Sequence, residues 1–149
     1  MMKFAHMADC HIGSWRDPKL KDVSTIAFQK AIDKCIEEAV DFILISGDLF
    51  NTSLPRIDNL KTVVTSLKQL KDKDIPAYII AGSHDYSPSG KTMLDVLEQA
   101  GLLINVVKGQ EVDGKLKLNF TVDKKTGAKI TGMLGKRYSL EKEYYEKLV

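Results

Sequence analysis

The sequence predicts an α/β fold in which a β-α-β-α-β-α-β succession builds a mostly parallel sheet, followed by a β-hairpin. Three observations carry this. Four short apolar runs alternate with segments of helical period, polar clusters follow the first three runs, and period-two alternation begins only after Lys108. Successive strands joined through helices require right-handed crossovers, with the helices packed on the sheet.

The first run covers residues 4–8. Phe28, Ile32, Cys35, Ile36 and Ala39 then recur at the spacing of one buried helical stripe. Asp41 leads into Phe42-Ile43-Leu44-Ile45, apolar at every position, as in a strand covered on both faces. Leu60, Val63, Val64, Leu67 and Leu70 mark a second helix, ending at the charged stretch Lys71-Asp72-Lys73-Asp74. Pro76 precedes the third run, Ala77-Tyr78-Ile79-Ile80-Ala81. A third helix is expected over about 91–100, with Gly101 where a C-terminal cap belongs. Residues 102–107 form the fourth run. Residues 116–122 alternate as a strand, Asp123-Lys124-Lys125-Thr126-Gly127 reads as a turn, and residues 129–133 are the expected return strand. Ser139-Leu140-Glu141-Lys142-Glu143 would open a last helix.

The composition fits one domain of a soluble globular protein: 149 residues, 44% hydrophobic, 28% charged, with a net charge of +2. A near-balanced charge neither points to nor excludes a nucleic-acid partner. Cys10 and Cys35 lack C-x-x-C spacing, which disfavours a disulfide framework. With no signal-peptide pattern and no apolar stretch of membrane-spanning length, a cytoplasmic protein without membrane association is expected.

The chemistry is expected where the strands end. Asp9-Cys10-His11 follows the first run, Gly47-Asp48 the second and Gly82-Ser83-His84-Asp85 the third. Ligands of open α/β sheets bind outside the carboxyl ends of the strands, so these clusters should converge. If strand geometry continued, Asp9 and His11 would point the same way and Cys10 into the packing. A carboxylate and an imidazole make a half-site for manganese, iron or zinc, and Asp48 from the next strand can bridge two ions. Gly47 and Gly82 allow sharp turns beside the site. Taken singly, a D-x-H is commonly a turn or cap, and a Gly-Asp pair a helix cap. The coincidence of two histidines, each near an aspartate, at strand ends favours metal binding. His6, inside the first run, reads as structural.

At these residues the chain resembles the calcineurin-type metallophosphoesterases. Residues His6-Met7-Ala8-Asp9-Cys10-His11-Ile12-Gly13 and Ser46-Gly47-Asp48-Leu49-Phe50-Asn51 are very similar to the Mre-eleven/SbcD nucleases of DNA double-strand-break repair. Phosphatases of that superfamily carry an aspartate and an arginine where this chain has Phe50-Asn51. The resemblance implies a metallophosphoesterase-type sandwich and a manganese-dependent exonuclease and single-strand endonuclease acting on DNA. It implies two divalent ions, Mn2+ foremost, and an ABC ATPase partner of the Rad-fifty/SbcC kind. It would place the protein in the cytoplasm, at the nucleoid in a prokaryote. Asp9 and His11 would bind one ion, Asp48 both, and Ser83, in place of an asparagine, the second; His84 would assist the leaving oxygen.

Two departures follow. A serine hydroxyl is a poorer ligand than an asparagine carboxamide, so the second ion is expected to be held more weakly. No histidine follows His84, so residues 1–149 are expected to be the N-terminal part of a nuclease domain. They would lack the later metal-ligand motifs and the ATPase-binding region. Met93, Val96 and Ala100 form a second apolar row on the third helix, which, with related nucleases pairing through helices here, implies a homodimer through Leu60 and Val96. The alternatives are a general metallophosphoesterase of small phosphodiesters and a noncatalytic dimerisation or DNA-docking module.

Overall fold

The computed structural model describes residues 1–87, 90–135 and 142–149. Its centre is a four-stranded parallel sheet in the order β1-β2-β3-β4, with β1 Phe4–Met7, β2 Phe42–Ser46, β3 Ala77–Ile80 and β4 Ile104–Asn105. The connecting helices are α1 Val23–Glu37, α2 Ile57–Asp72 and α3 Met93–Gln99. The strand order advances in one direction without reversal, so right-handed crossovers place all three helices on the same face.

That face holds the main core. Ile43, Ile45, Ala77 and Ile79 pack with Phe28, Ile32 and Cys35 of α1, Val63, Leu67 and Leu70 of α2, and Leu94 and Leu97 of α3. The helical stripes are those the sequence predicts, with one correction. Ala39 does not belong to the buried stripe. It is exposed beyond the end of α1, at φ 48°. The Ala39 amide donates to the Ile36 carbonyl and the Val40 amide to Cys35, which closes the helix and turns the chain into β2. α2 and α3 end in the same way, with Asp74 and the anticipated Gly101 in the left-handed position. Alanine is the least suited of the three, since a Cβ there costs about 1–2 kcal/mol. Ala39→Gly is therefore expected to stabilise the chain by about 0.5–1 kcal/mol, after the extra freedom of the unfolded glycine is deducted. A thermal melt should show it as a rise of about 1–4 °C; a lower melting temperature would contradict this assignment.

The opposite face is less completely covered. Phe42, Tyr78 and Val106 form a small second core, against which Ala128 and Ile130 pack. Leu44 is only half-buried and Phe4 is 48% exposed, stacked on Phe42. The cover on both faces that the apolar run suggests is thus complete on the helix side, while on the other side it buries Phe42 and only half covers Leu44. His6 lies on this open face, exposed, with its Nε2 2.7 Å from Ser46 Oγ.

Beyond β4 the expected long strand over 116–122 is broken in two. β5 Gly109–Val112 pairs with β6 Lys115–Leu118, and β7 Thr121–Val122 pairs with β8 Lys129–Ile130. Asp113-Gly114, both at positive φ, form the tight turn of the first hairpin. That dipeptide is a strong hairpin signal and folds β6 back on β5, while the break itself falls at Asn119-Phe120, between β6 and β7. The second hairpin turns where expected, and the Asp123 carboxylate ties it to the sheet by accepting from Tyr78 Oη at 2.7 Å. Burial works against that charge, but hydrogen bonds from Thr126 and Tyr78 outweigh it and hold the carboxyl below its usual range. The last helix, α4 Lys142–Glu146, is present. Its expected opening at Ser139, Leu140 and Glu141 lies outside the described residues.

Candidate metal centre

The three polar clusters do converge, at the carboxyl ends of β1, β2 and β3. Imidazole and carboxylate atoms of His11, Asp48 and His84 lie within 4.8 Å of one another. The His11 and His84 rings meet edge to face with centroids 4.8 Å apart. His11 Nε2 stands 3.7 Å from both Asp9 Oδ1 and Asp48 Oδ2. That is too long for hydrogen bonds, and near the roughly 3–3.5 Å that separates ligands sharing one cation at bonds of about 2.1 Å.

Strand alternation is not what aligns Asp9 with His11. β1 ends at Met7, and Asp9, His11 and Asp48 all adopt left-handed backbone, at φ 54°, 41° and 51°. Non-glycine residues pay for this conformation, and such outliers concentrate at functional sites. The loops are held to it from both sides. The Asp9 amide donates to Gly47 O, His11 to Asp48 O, and Ile12 to Leu49 O, so the β1–β2 pairing resumes past the strand ends. Ile12, Leu49 and Phe50, each no more than 1% exposed, anchor the same loops in the core. Gly82 lies so close to Asp48 that a Cβ there would collide with the Asp48 Oδ1 and backbone nitrogen.

Asp48 divides its carboxylate. Oδ1 accepts from the His84 amide at 2.8 Å, while Oδ2 faces His11. The His84 ring is set by Asn51, whose carbonyl oxygen lies 2.9 Å from Nδ1. A carbonyl only accepts, so Nδ1 donates and Nε2 is left for other work. Asp9 is the most open member, its side chain 71% exposed. Ser83 is half-buried beside His84. The thiol of Cys10 is pushed up to about 11, first by burial and then by the charges of Asp85 and Asp9.

Asp85 has no assigned role in the sequence reading, yet it is the most buried carboxylate at the site, 2% exposed. It accepts from the amides of Leu49, Phe50 and Gly82 at 3.3, 3.1 and 3.0 Å. Burial raises its pKa, those amides oppose the rise, and the neighbouring Asp48 adds to it. The only sequence signal was its place beside His84.

Asp9, Asp48 and His11 offer two carboxylates and an imidazole, a donor set that suits a divalent transition metal, with the His84 ring beside them. Among the described residues the buried His11 Nδ1 has no hydrogen-bond partner. Size does not mark this place. A cleft of about 740 Å³ lies instead at the opposite end of the sheet, among Lys71, Ile75, Pro76, Leu103 and Lys124.

Similarity to known proteins agrees with this geometry. The DNA double-strand break repair protein Mre11 of Archaeoglobus fulgidus is 34% identical over 120 residues, covering 75% of this chain and 27% of that protein. The proteins of that name from Methanococcus maripaludis and Saccharolobus solfataricus are 40% identical over 91 residues and 35% over 127. These alignments cover 59% and 76% of this chain, and 24% and 33% of the relatives. The chain thus spans about a quarter to a third of the relatives it matches. The calcineurin-like phosphoesterase profile matches residues 2–148, nearly the whole length, and with the three strand-end clusters in place the chain belongs to the calcineurin-like phosphoesterase family.

Proposed function

We propose that this chain carries the N-terminal half of the catalytic site of a manganese-dependent nuclease that processes DNA ends in double-strand-break repair. The observation that carries the reading is the meeting of His11, Asp48 and His84 at three strand ends, in a chain similar to proteins named for that repair. Asp9 and His11 would hold one ion, Asp48 both, and Ser83 the second. Bound there, the ions would neutralise phosphate charge and make water acidic enough to attack at neutral pH.

The residues themselves do the positioning. The His84 amide fixes one Asp48 oxygen and leaves the other turned to His11. With Nδ1 committed to Asn51, His84 Nε2 is the atom that would hold a proton against the leaving oxygen. The exonuclease and single-strand endonuclease activities, the ABC ATPase partner of the Rad-fifty/SbcC kind and a nucleoid location belong to the same reading. So does a homodimer through α2 and α3, for which Val96 is 57% exposed and Leu60 half-buried. Among the described residues no helix is long and apolar enough to cross a membrane.

The test is cleavage by this chain and by the longer protein containing it, with manganese or with chelator. Substrates are linear duplex DNA, circular single-stranded DNA and bis-p-nitrophenyl phosphate. The longer protein should cut both DNAs only with manganese, and His84→Ala should lower the rate by about a hundredfold or more. Hydrolysis of the small diester alone would favour a general phosphodiesterase. DNA binding with no cleavage by either protein would favour a docking module. Sedimentation tests the pairing: an unchanged dimer mass in a Leu60→Asp, Val96→Asp double variant would exclude that interface.

A further inference from the structure

We propose that Asp85 is the positioning residue of this centre, a carboxylate that never touches ion or substrate but locks the Asp48 loop to the His84 loop. The inference rests on reading Asp48 as an ion ligand. A carboxylate 2% exposed is costly to bury unless its oxygens are satisfied. Among the described residues the partners of Asp85 are three backbone amides. Two of them, Leu49 and Phe50, directly follow Asp48; the third, Gly82, lies two residues before His84.

The arrangement is reciprocal. Asp85, on the β3 loop, accepts from amides of the β2 loop, and Asp48, on the β2 loop, accepts from the His84 amide of the β3 loop. The peptide links Asp48-Leu49 and His84-Asp85 complete a closed ring. Inside it, neither loop can shift without breaking a charge-assisted hydrogen bond. The Leu49 and Phe50 side chains, 0% and 1% exposed, hold the loop from the core side, while Asp85 holds its backbone. Asp48 is thereby kept at φ 51°, the conformation that turns its Oδ2 toward His11. An asparagine at 85 has nearly the same volume but only one acceptor oxygen, and its NH2 would face an amide hydrogen. Partners that hold ligands in place typically change metal affinity by about 10–100-fold when altered.

The experiment uses the 15N-labelled chain and its Asp85→Asn variant. Manganese affinity is read from the electron paramagnetic resonance signal of the free ion, and amide exchange is followed without metal. Affinity should fall about tenfold or more. Exchange at Leu49, Phe50, Gly82 and His84 should accelerate together, while Ile43 and Ile79 in the sheet keep their protection. His84 is the discriminating amide: its acceptor is Asp48, so a local structural role for Asp85 would leave it unmoved. Unchanged affinity with His84 still protected overturns the proposal. Should the variant not fold, the unsubstituted chain decides: one shared opening rate for the four amides supports the ring, and four independent rates overturn it. Failure of the unsubstituted chain to bind manganese would strike the metal reading instead, while the exchange pattern would still decide whether Asp85 locks the loops.

Discussion

Asp48→Ala is expected to lower manganese affinity by more than about a hundredfold, the largest effect of any single substitution at this centre. The Asp48 carboxylate faces both His11 and the His84 loop. Removing it strips a ligand and also leaves the part-buried His84 amide without an acceptor, at a cost of about 1–3 kcal/mol. Asp48→Asn separates these two losses. Its amide oxygen can still accept from His84 and asparagine tolerates φ 51°, so the fold should melt near the wild-type temperature while affinity drops. Because an imidazole ligand must shed its proton to bind, affinity in the unsubstituted chain should also weaken as pH is lowered. Calorimetric titration with manganese chloride, paired with thermal melts, reads all of this. Equal affinity in the wild type and the alanine variant would remove Asp48 from the site.

Gly82→Ala should be the most damaging single-methyl change at the site. The added carbon would sit against Asp48 Oδ1, its backbone nitrogen and, at 2.7 Å, its Cγ. The oxygen could swing aside, but the backbone is pinned by the Ile12 and Asp85 hydrogen bonds that follow it. Overpacking of this kind costs about 1–3 kcal/mol or more, roughly 3–10 °C in a chain of this size. Manganese affinity should fall with it, since Asp48 and His84 are pushed apart. Gly135→Ala is the control: its nearest contacts, Gly82 Cα at 3.6 Å and Ala81 O at 3.7 Å, are ordinary ones. A Gly82→Ala protein as stable as the control would show that the two loops do not approach so closely.

Much of the architecture was legible in the residue pattern. Apolar runs and helical stripes located all four strands of the sheet and all three packed helices, because burial imposes those periods directly. Placing Asp9, His11, Asp48 and His84 at one end of the sheet needed only the direction of the strands. Other features depended on interactions that periodicity does not encode. Ala39 continues the stripe of α1 by spacing, yet the helix stops before it, through hydrogen bonds to Ile36 and Cys35 rather than through a glycine. The strand over 116–122 is interrupted at Asn119-Phe120, because its first part pairs back with β5 across the Asp113-Gly114 turn and its last part pairs forward with β8. The role of Asp85 leaves no trace in periodicity, since two of its amide partners lie 35 and 36 residues away.

The left-handed turns at Asp9, His11 and Asp48 bear on how an ion would be received. Each such turn costs about 1–3 kcal/mol, and here that expense is met by folding, through the paired loops and their buried anchors, before any ion arrives. Little reorganisation is then left for binding: the ligands need not be gathered, and the entropy of assembling them has already been lost. A centre preorganised in this way should capture its ion quickly, with small changes in shape between the empty and loaded states. Its selectivity would come from the fixed spacing of its donors rather than from their willingness to move.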